Sequence, residues 1–140
     1  MTIQKKYSGV VVPAVTPLTE NYKLDEEVVE RMFENFYQYN AAPFILGTTG
    51  EAPFLPDSLK SAYLQQAVRY RKKGTKLYVG ISSNCLEDSI GYAQSAFDQG
   101  ADVVAATLPS FYTLTNGQIK KYFDQLATAI PLPLIIYNIT

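Results

Sequence analysis

The stretch PLPLIIYNIT, residues 131–140, decides the fold. Leu134, Ile135 and Ile136 form an apolar, β-branched run that reads as a strand buried on both faces, and Tyr137 and Asn138 end it. Two architectures built from the same alternating unit compete for such a chain. A doubly wound, flavodoxin-like sheet has five strands and fits 140 residues, but it would normally add a last helix to cover its final strand. Here Ile135 and Ile136 would be left in an uncovered apolar edge, an aggregation liability. A (β/α)8 barrel repeats the unit over roughly 200–250 residues. The sequence therefore reads as cut after a fifth strand, with residues 1–140 as the amino-terminal portion of one barrel domain carrying about strands 1–5 and helices 1–4.

Upstream, the strand pattern recurs four times, in GVVVPAV (9–15), PFIL (43–46), KLYVGI (76–81) and DVVAAT (102–107). Amphipathic segments separate them. Residues 26–39 follow the N-cap candidate Asp25, with Val29, Met32, Phe33 and Phe36 at helical spacing and Glu26 and Glu27 in the first turn, where the helix dipole favours them. A second helix is expected to be capped by Asp57, to pack Leu59, Ala62, Tyr63, Ala67 and Tyr70, and to stop at Gly74. A third carries Ile90, Ala93, Ala96 and Phe97 and stops at Gly100; a fourth, 116–130, buries Ile119, Tyr122, Phe123 and Leu126. Strands alternating with such helices imply a parallel sheet of right-handed βαβ units.

Composition removes several classes of function. Formal net charge is −1, and the basic residues come as short pairs read as solvated faces, so no nucleic-acid footprint is expected. With no histidine and one cysteine, Cys85, a disulfide framework and a Ser-His-Asp or Cys-His catalytic set are excluded, and a Cys/His zinc site is not expected. Cys85 reads as a small packing residue. MTIQKKYSG lacks the apolar core of a signal peptide and no run approaches a membrane span, so a cytoplasmic protein without membrane partners is expected.

In either fold, ligands bind at the carboxyl ends of the strands. Those ends carry Thr16-Pro17, then Gly47-Thr48-Thr49-Gly50-Glu51, then Ser82-Ser83-Asn84, then Thr107 with LPSFYTLT (108–115), then Tyr137-Asn138. Neither a P-loop nor a G-x-G-x-x-G fingerprint is present. The N–H groups of the glycine-rich turn, with the threonine hydroxyls, make a concave donor site for a carboxylate; alternatively the threonines only cap the turn. Glu51 reads as structural, tying the turn through backbone N–H groups. Tyr137 reads either as one more packing tyrosine or as a phenol pointing into the site from the end of a strand.

TP after strand one, GTTGE after strand two, PSFY after strand four and YN after strand five, in that order, resemble the pyruvate-dependent class I aldolases and lyases of the dihydrodipicolinate synthase / N-acetylneuraminate lyase type. The resemblance covers the chain from Gly9 onward and implies a (β/α)8 barrel. It implies that Gly47, Thr48 and Thr49 hold the carboxylate of pyruvate or of a pyruvoyl (2-keto acid) substrate. It further implies that Thr48 joins a hydroxyl relay with Tyr137, the general acid/base, and that Tyr112 reaches a neighbouring subunit's site to complete the relay. A homo-oligomer, a dimer or a dimer of dimers, follows, and no cofactor or metal is implied.

In that family a lysine on strand six forms the Schiff base with the keto carbon. The lysines here lie before strand one, in loops, on helices or, for Lys76, at the amino end of strand three, so none reads as that nucleophile. The isolated chain is accordingly expected to be inactive. The family usually continues Tyr-Asn-x-Pro, whereas this chain ends Tyr137-Asn138-Ile139-Thr140, which leaves aspartate semialdehyde, a sialic acid or a keto-deoxy sugar acid open as the wider substrate. Two readings from other classes stand beside this one: a complete, non-catalytic doubly wound domain that binds a small ligand, and a half-barrel that self-associates to bury its open edges.

Overall fold

The computed structural model describes residues 7–139, so the Lys5-Lys6 pair and Thr140 lie outside the described residues. Five strands, β1 (Val10–Pro13), β2 (Ala41–Ile45), β3 (Tyr78–Gly80), β4 (Val103–Ala106) and β5 (Leu134–Ile136), alternate with four helices, α1 (Glu26–Gln38), α2 (Asp57–Arg69), α3 (Leu86–Gln99) and α4 (Asn116–Ala129). All strand pairs are parallel and the order is β1-β2-β3-β4-β5. A doubly wound sheet requires an order reversal, and this sheet has none. The series is that of a barrel wall.

Register separates the two faces. Pro13 pairs with Phe44 and Phe44 with Tyr78; Gly80 pairs with Ala105 and Ala105 with Ile135. Because side chains alternate along a strand, these residues share one face. The alternate positions, Ile45, Val79 and Val104 among them, are buried with Phe33, Tyr63, Leu64, Ala93 and Leu126 from the helices. The hydrophobic core thus lies between sheet and helices, and the first face is left to line a concave interior. At the free edges, Val10 is 62% and Ile136 56% exposed, whereas Ile135 is half-buried.

Helix ends follow local chemistry with two corrections. Asp25 caps α1 by accepting the Val28 N–H at 3.1 Å, and Gly100 ends α3 at φ +95°, a conformation that costs an L-residue but not glycine. Asp57, however, is not a cap. Pro56 occupies the extended N-cap position, and Asp57, the first helical residue, accepts the Tyr92 hydroxyl at 2.8 Å instead. Nor does Gly74 stop α2, which ends at Arg69 with Tyr70 as its C-cap; Gly74 turns the chain later, at φ +86°. Of the expected buried faces, Phe97 is exposed, and Ile119 and Phe123 are only half-buried. Α short antiparallel bridge between Leu18 and Leu24, and a 3₁₀ turn at Ala52–Phe54, had no signal in the periodicity.

Candidate active site

The carboxyl ends of β2 to β5 surround a hollow of about 520 Å³. Its β2 wall is a tight turn. Leu46 and Glu51, both non-glycine, sit in the left-handed region at φ +56° and +53°, an arrangement held by its surroundings rather than by preference. Between them, the Glu51 N–H donates to the Thr48 carbonyl at 3.0 Å and the Ala52 N–H to the Gly47 carbonyl at 3.3 Å. The turn is tied to the end of β1 by the Thr16 hydroxyl, which donates to the Gly50 carbonyl at 2.7 Å. Tyr63 of α2 donates its buried hydroxyl to the Val15 carbonyl at 2.8 Å, and burial pushes that phenol's pKa far above its ordinary value. Thr16 therefore braces the turn after β2.

Gly80 explains how closely β3 runs beside this turn. An added Cβ would fall 2.0 Å from the Leu46 carbonyl oxygen and 3.0 Å from the Gly47 nitrogen. On the far side, the Tyr137 N–H donates to the Ala106 carbonyl at 2.8 Å, extending the β4–β5 ladder by one residue. The Tyr137 ring meets Phe44 of β2 edge-to-face, with centroids 6.2 Å apart, across the concave interior. That contact sets the ring's direction.

The structure brings Gly47, Thr48 and Tyr137 together in this hollow. Thr49 is exposed and outside its lining, and Tyr112 lies in a separate hollow on the β4–α4 loop, 76% exposed and packed edge-on against Phe111. Among the described residues no hydrogen bond joins Thr48 to Tyr137. Glu51 ties the turn with its backbone, while its exposed carboxylate makes no hydrogen bond among the described residues, which corrects the expectation that the side chain gathers N–H groups. Cys85 is likewise exposed rather than packed, its thiol donating to Glu87 at 3.3 Å.

Lys60 lines the hollow too, from α2, a helical position that carries no strand-end signal in the sequence. It is the one charged side chain among the described residues lining the hollow. Its ammonium bonds Asp57 and the Tyr92 hydroxyl, each at 3.2 Å, and stands 4.6 Å from the Tyr92 ring centroid. Burial pulls its pKa down, but these hydrogen bonds outweigh that and leave it raised. Asp57 is held below its ordinary value by the Tyr92 hydrogen bond first and by Lys60 second. The i, i+3 spacing could have signalled the Asp57–Lys60 pair; nothing in the sequence signals Tyr92. No group of three or more His, Cys, Asp or Glu that could hold a metal ion occurs among the described residues.

A family model, the dihydrodipicolinate synthetase family, matches residues 6–140. The chain belongs to that family. The chain is 33% identical, over 134 residues, to a 4-hydroxy-tetrahydrodipicolinate synthase of Acidiphilium cryptum, and 32% to one of Alkaliphilus oremlandii; each match takes in 95% of this chain and 46% of the relative. Among solved structures, dihydrodipicolinate synthase from Bacteroides thetaiotaomicron superposes with a TM-score of 0.88 at 32% identity, over 94% of this chain and 45% of that one. The chloride-inhibited dihydrodipicolinate synthase of Acinetobacter baumannii, complexed with pyruvate, gives 0.86 at 27%, over 94% and 45%. The chain thus spans about half the length of the family members it matches, and its five parallel strands correspond to the first half of a (β/α)8 barrel. No helix among the described residues is long and apolar enough to cross a membrane.

Proposed function

We propose that residues 1–140 are the amino-terminal portion of a single-barrel lyase or aldolase that acts on pyruvate or a pyruvoyl substrate through a lysine Schiff base. The observation that carries the reading is the convergence of Gly47, Thr48 and Tyr137 on one strand-end hollow in a chain of this family. The tight turn presents backbone N–H groups and the Thr48 hydroxyl to a carboxylate, a donor set that suits a small anion. Thr49, whose side chain lies outside the hollow's lining, contributes to that grip through the backbone N–H it supplies to the same turn. Tyr137, aimed by Phe44, serves as the general acid/base that moves protons at the carbonyl and at the leaving or attacking group.

The nucleophile belongs to a strand beyond β5. Its amine attacks the keto carbon, water leaves, and the protonated imine becomes the electron sink for carbon–carbon bond making or breaking. Tyr112, exposed on its loop, serves the site of a second subunit, so the working form is a homo-oligomer in the cytoplasm. The isolated 140-residue chain supplies the carboxylate grip and part of the proton relay and turns over no substrate.

The test is the intact mass of the protein from its native source after incubation with pyruvate and borohydride. A species longer than 140 residues carrying one reduced pyruvate adduct is expected, and mapping the adduct locates the lysine. A 140-residue species with no adduct overturns the reading.

A further inference from the structure

The turn after β3 holds more than the wall of the hollow. Ser82 Oγ accepts the Thr107 N–H at 3.0 Å and pairs with the Thr107 hydroxyl at 3.1 Å, which joins the ends of β3 and β4. Two residues on, Asn84 Oδ1 accepts the N–H groups of Ser110 at 2.8 Å and of Phe111 at 3.3 Å. The turn is itself braced: Ser83 Oγ accepts the Cys85 N–H at 3.1 Å and donates to Asp88 at 3.3 Å. Among the described residues, the two Asn84 bonds are the only hydrogen bonds that reach the backbone of residues 109–113. Ser110 and Phe111 lead directly into Tyr112, whose ring rests on Phe111 with centroids 4.8 Å apart. Asn84 also lines both the strand-end hollow and the hollow beside Tyr112.

We propose that Asn84 is the positioning residue for Tyr112: its side-chain oxygen clips the β4–α4 loop by two amides and sets where the Tyr112 phenol is delivered. The inference rests on the reading of Tyr112 as a relay member for a neighbouring subunit. An exposed aromatic on a nine-residue loop (107–115) would otherwise sample many positions, and proton transfer requires the phenol within hydrogen-bond reach of its partner. The clip uses only the oxygen of the amide. Aspartate preserves it, and alanine removes it.

Asn84→Ala and Asn84→Asp are compared in the full-length protein by amide hydrogen exchange and by steady-state kinetics with pyruvate. For Asn84→Ala, exchange over residues 109–113 rises about tenfold while β4 and α4 keep their protection, and kcat falls about tenfold with the pyruvate KM unchanged. For Asn84→Asp, exchange and kcat stay near wild type, whereas KM rises because the new carboxylate faces the hollow that takes an anion. Unchanged exchange or unchanged kcat in Asn84→Ala, or equal losses in both variants, overturns the proposal. A wild-type protein that traps no pyruvate under borohydride defeats the functional reading instead; the exchange measurement then still decides whether Asn84 holds the loop.

Discussion

Gly80→Ala is the sharpest perturbation the site offers. The added methyl would sit 2.0 Å from the Leu46 carbonyl oxygen, 2.6 Å from the Leu46 carbonyl carbon and 3.0 Å from the Gly47 nitrogen. All three are backbone atoms of the turn that leads into Thr48, so no side chain can swing aside. Ordinary contact begins near 3.4 Å, so β3 and the end of β2 must part by more than an ångström. Overpacking of this kind costs about 1–3 kcal/mol, and the rigid neighbours here place the expected loss at the upper end, ~3 kcal/mol. Equilibrium urea unfolding followed by circular dichroism measures it. Gly91→Ala is the internal control, since its Cβ meets nothing within 4 Å on the exposed side of α3 and the helix gains ~0.5–1 kcal/mol. A Gly80→Ala protein within about 0.5 kcal/mol of wild type would refute the claim that this close approach shapes the turn.

Three further outcomes are expected. Tyr63→Phe removes the hydrogen bond to Val15 and costs ~1 kcal/mol near neutral pH. Burial raises the Tyr63 pKa above its ordinary value of 10.0, so the folded state keeps a proton that the unfolded state releases; wild-type stability therefore declines as pH rises past 10, by up to about 1.4 kcal/mol per unit from this group, and Tyr63→Phe lacks that part of the decline in a pH series of urea melts. Asp102→Ala leaves the buried Leu77 N–H, now bonded at 2.8 Å, without its acceptor and takes from Arg71 its ion pair at 3.0 Å, leaving Arg71 the Gly100 carbonyl at 2.6 Å; a loss of ~2 kcal/mol is expected in the same assay, and a neutral result would mean that water replaces the carboxylate. In the full-length protein, Tyr137→Phe should leave pyruvate trapping by borohydride detectable while kcat falls about 10²–10⁴-fold, and an unimpaired kcat would remove Tyr137 from the acid/base role.

The local code was legible where one short segment answers its own chemistry. Asp25 caps the helix it precedes, Gly100 adopts the left-handed turn that ends α3, and the β-branched runs at 10–13, 103–106 and 134–136 became strands. The failures share a cause. Asp57 looks like a cap but finds Tyr92, 35 residues away, and Lys60 looks like a helix-surface lysine but reaches the strand-end hollow through the same cluster. Asn84 was one polar residue among several until its oxygen met two amides of a loop 26 and 27 residues on.

Periodicity, β-branching and the GTTGE motif, all properties of neighbouring residues, determined by themselves a parallel sheet of βα units with hydroxyls at its strand ends. Those local patterns leave the strand order open, because hydrogen bonding between parallel strands depends on pairings some 25–35 residues apart and each strand offers either edge; only the uncovered run at Ile135–Ile136 and the ordered strand-end motifs pointed to a barrel, in which the strands run in series. Tertiary structure made that choice, placing β1 to β5 in series. It also decided which polar groups share a space: Gly47, Thr48 and Tyr137 face one hollow, and Thr49 and Tyr112 do not. A one-residue step along a turn reverses the direction of a side chain, and the close packing of Gly80 against Leu46, with the Thr16–Gly50 hydrogen bond, holds the turn in which that step falls.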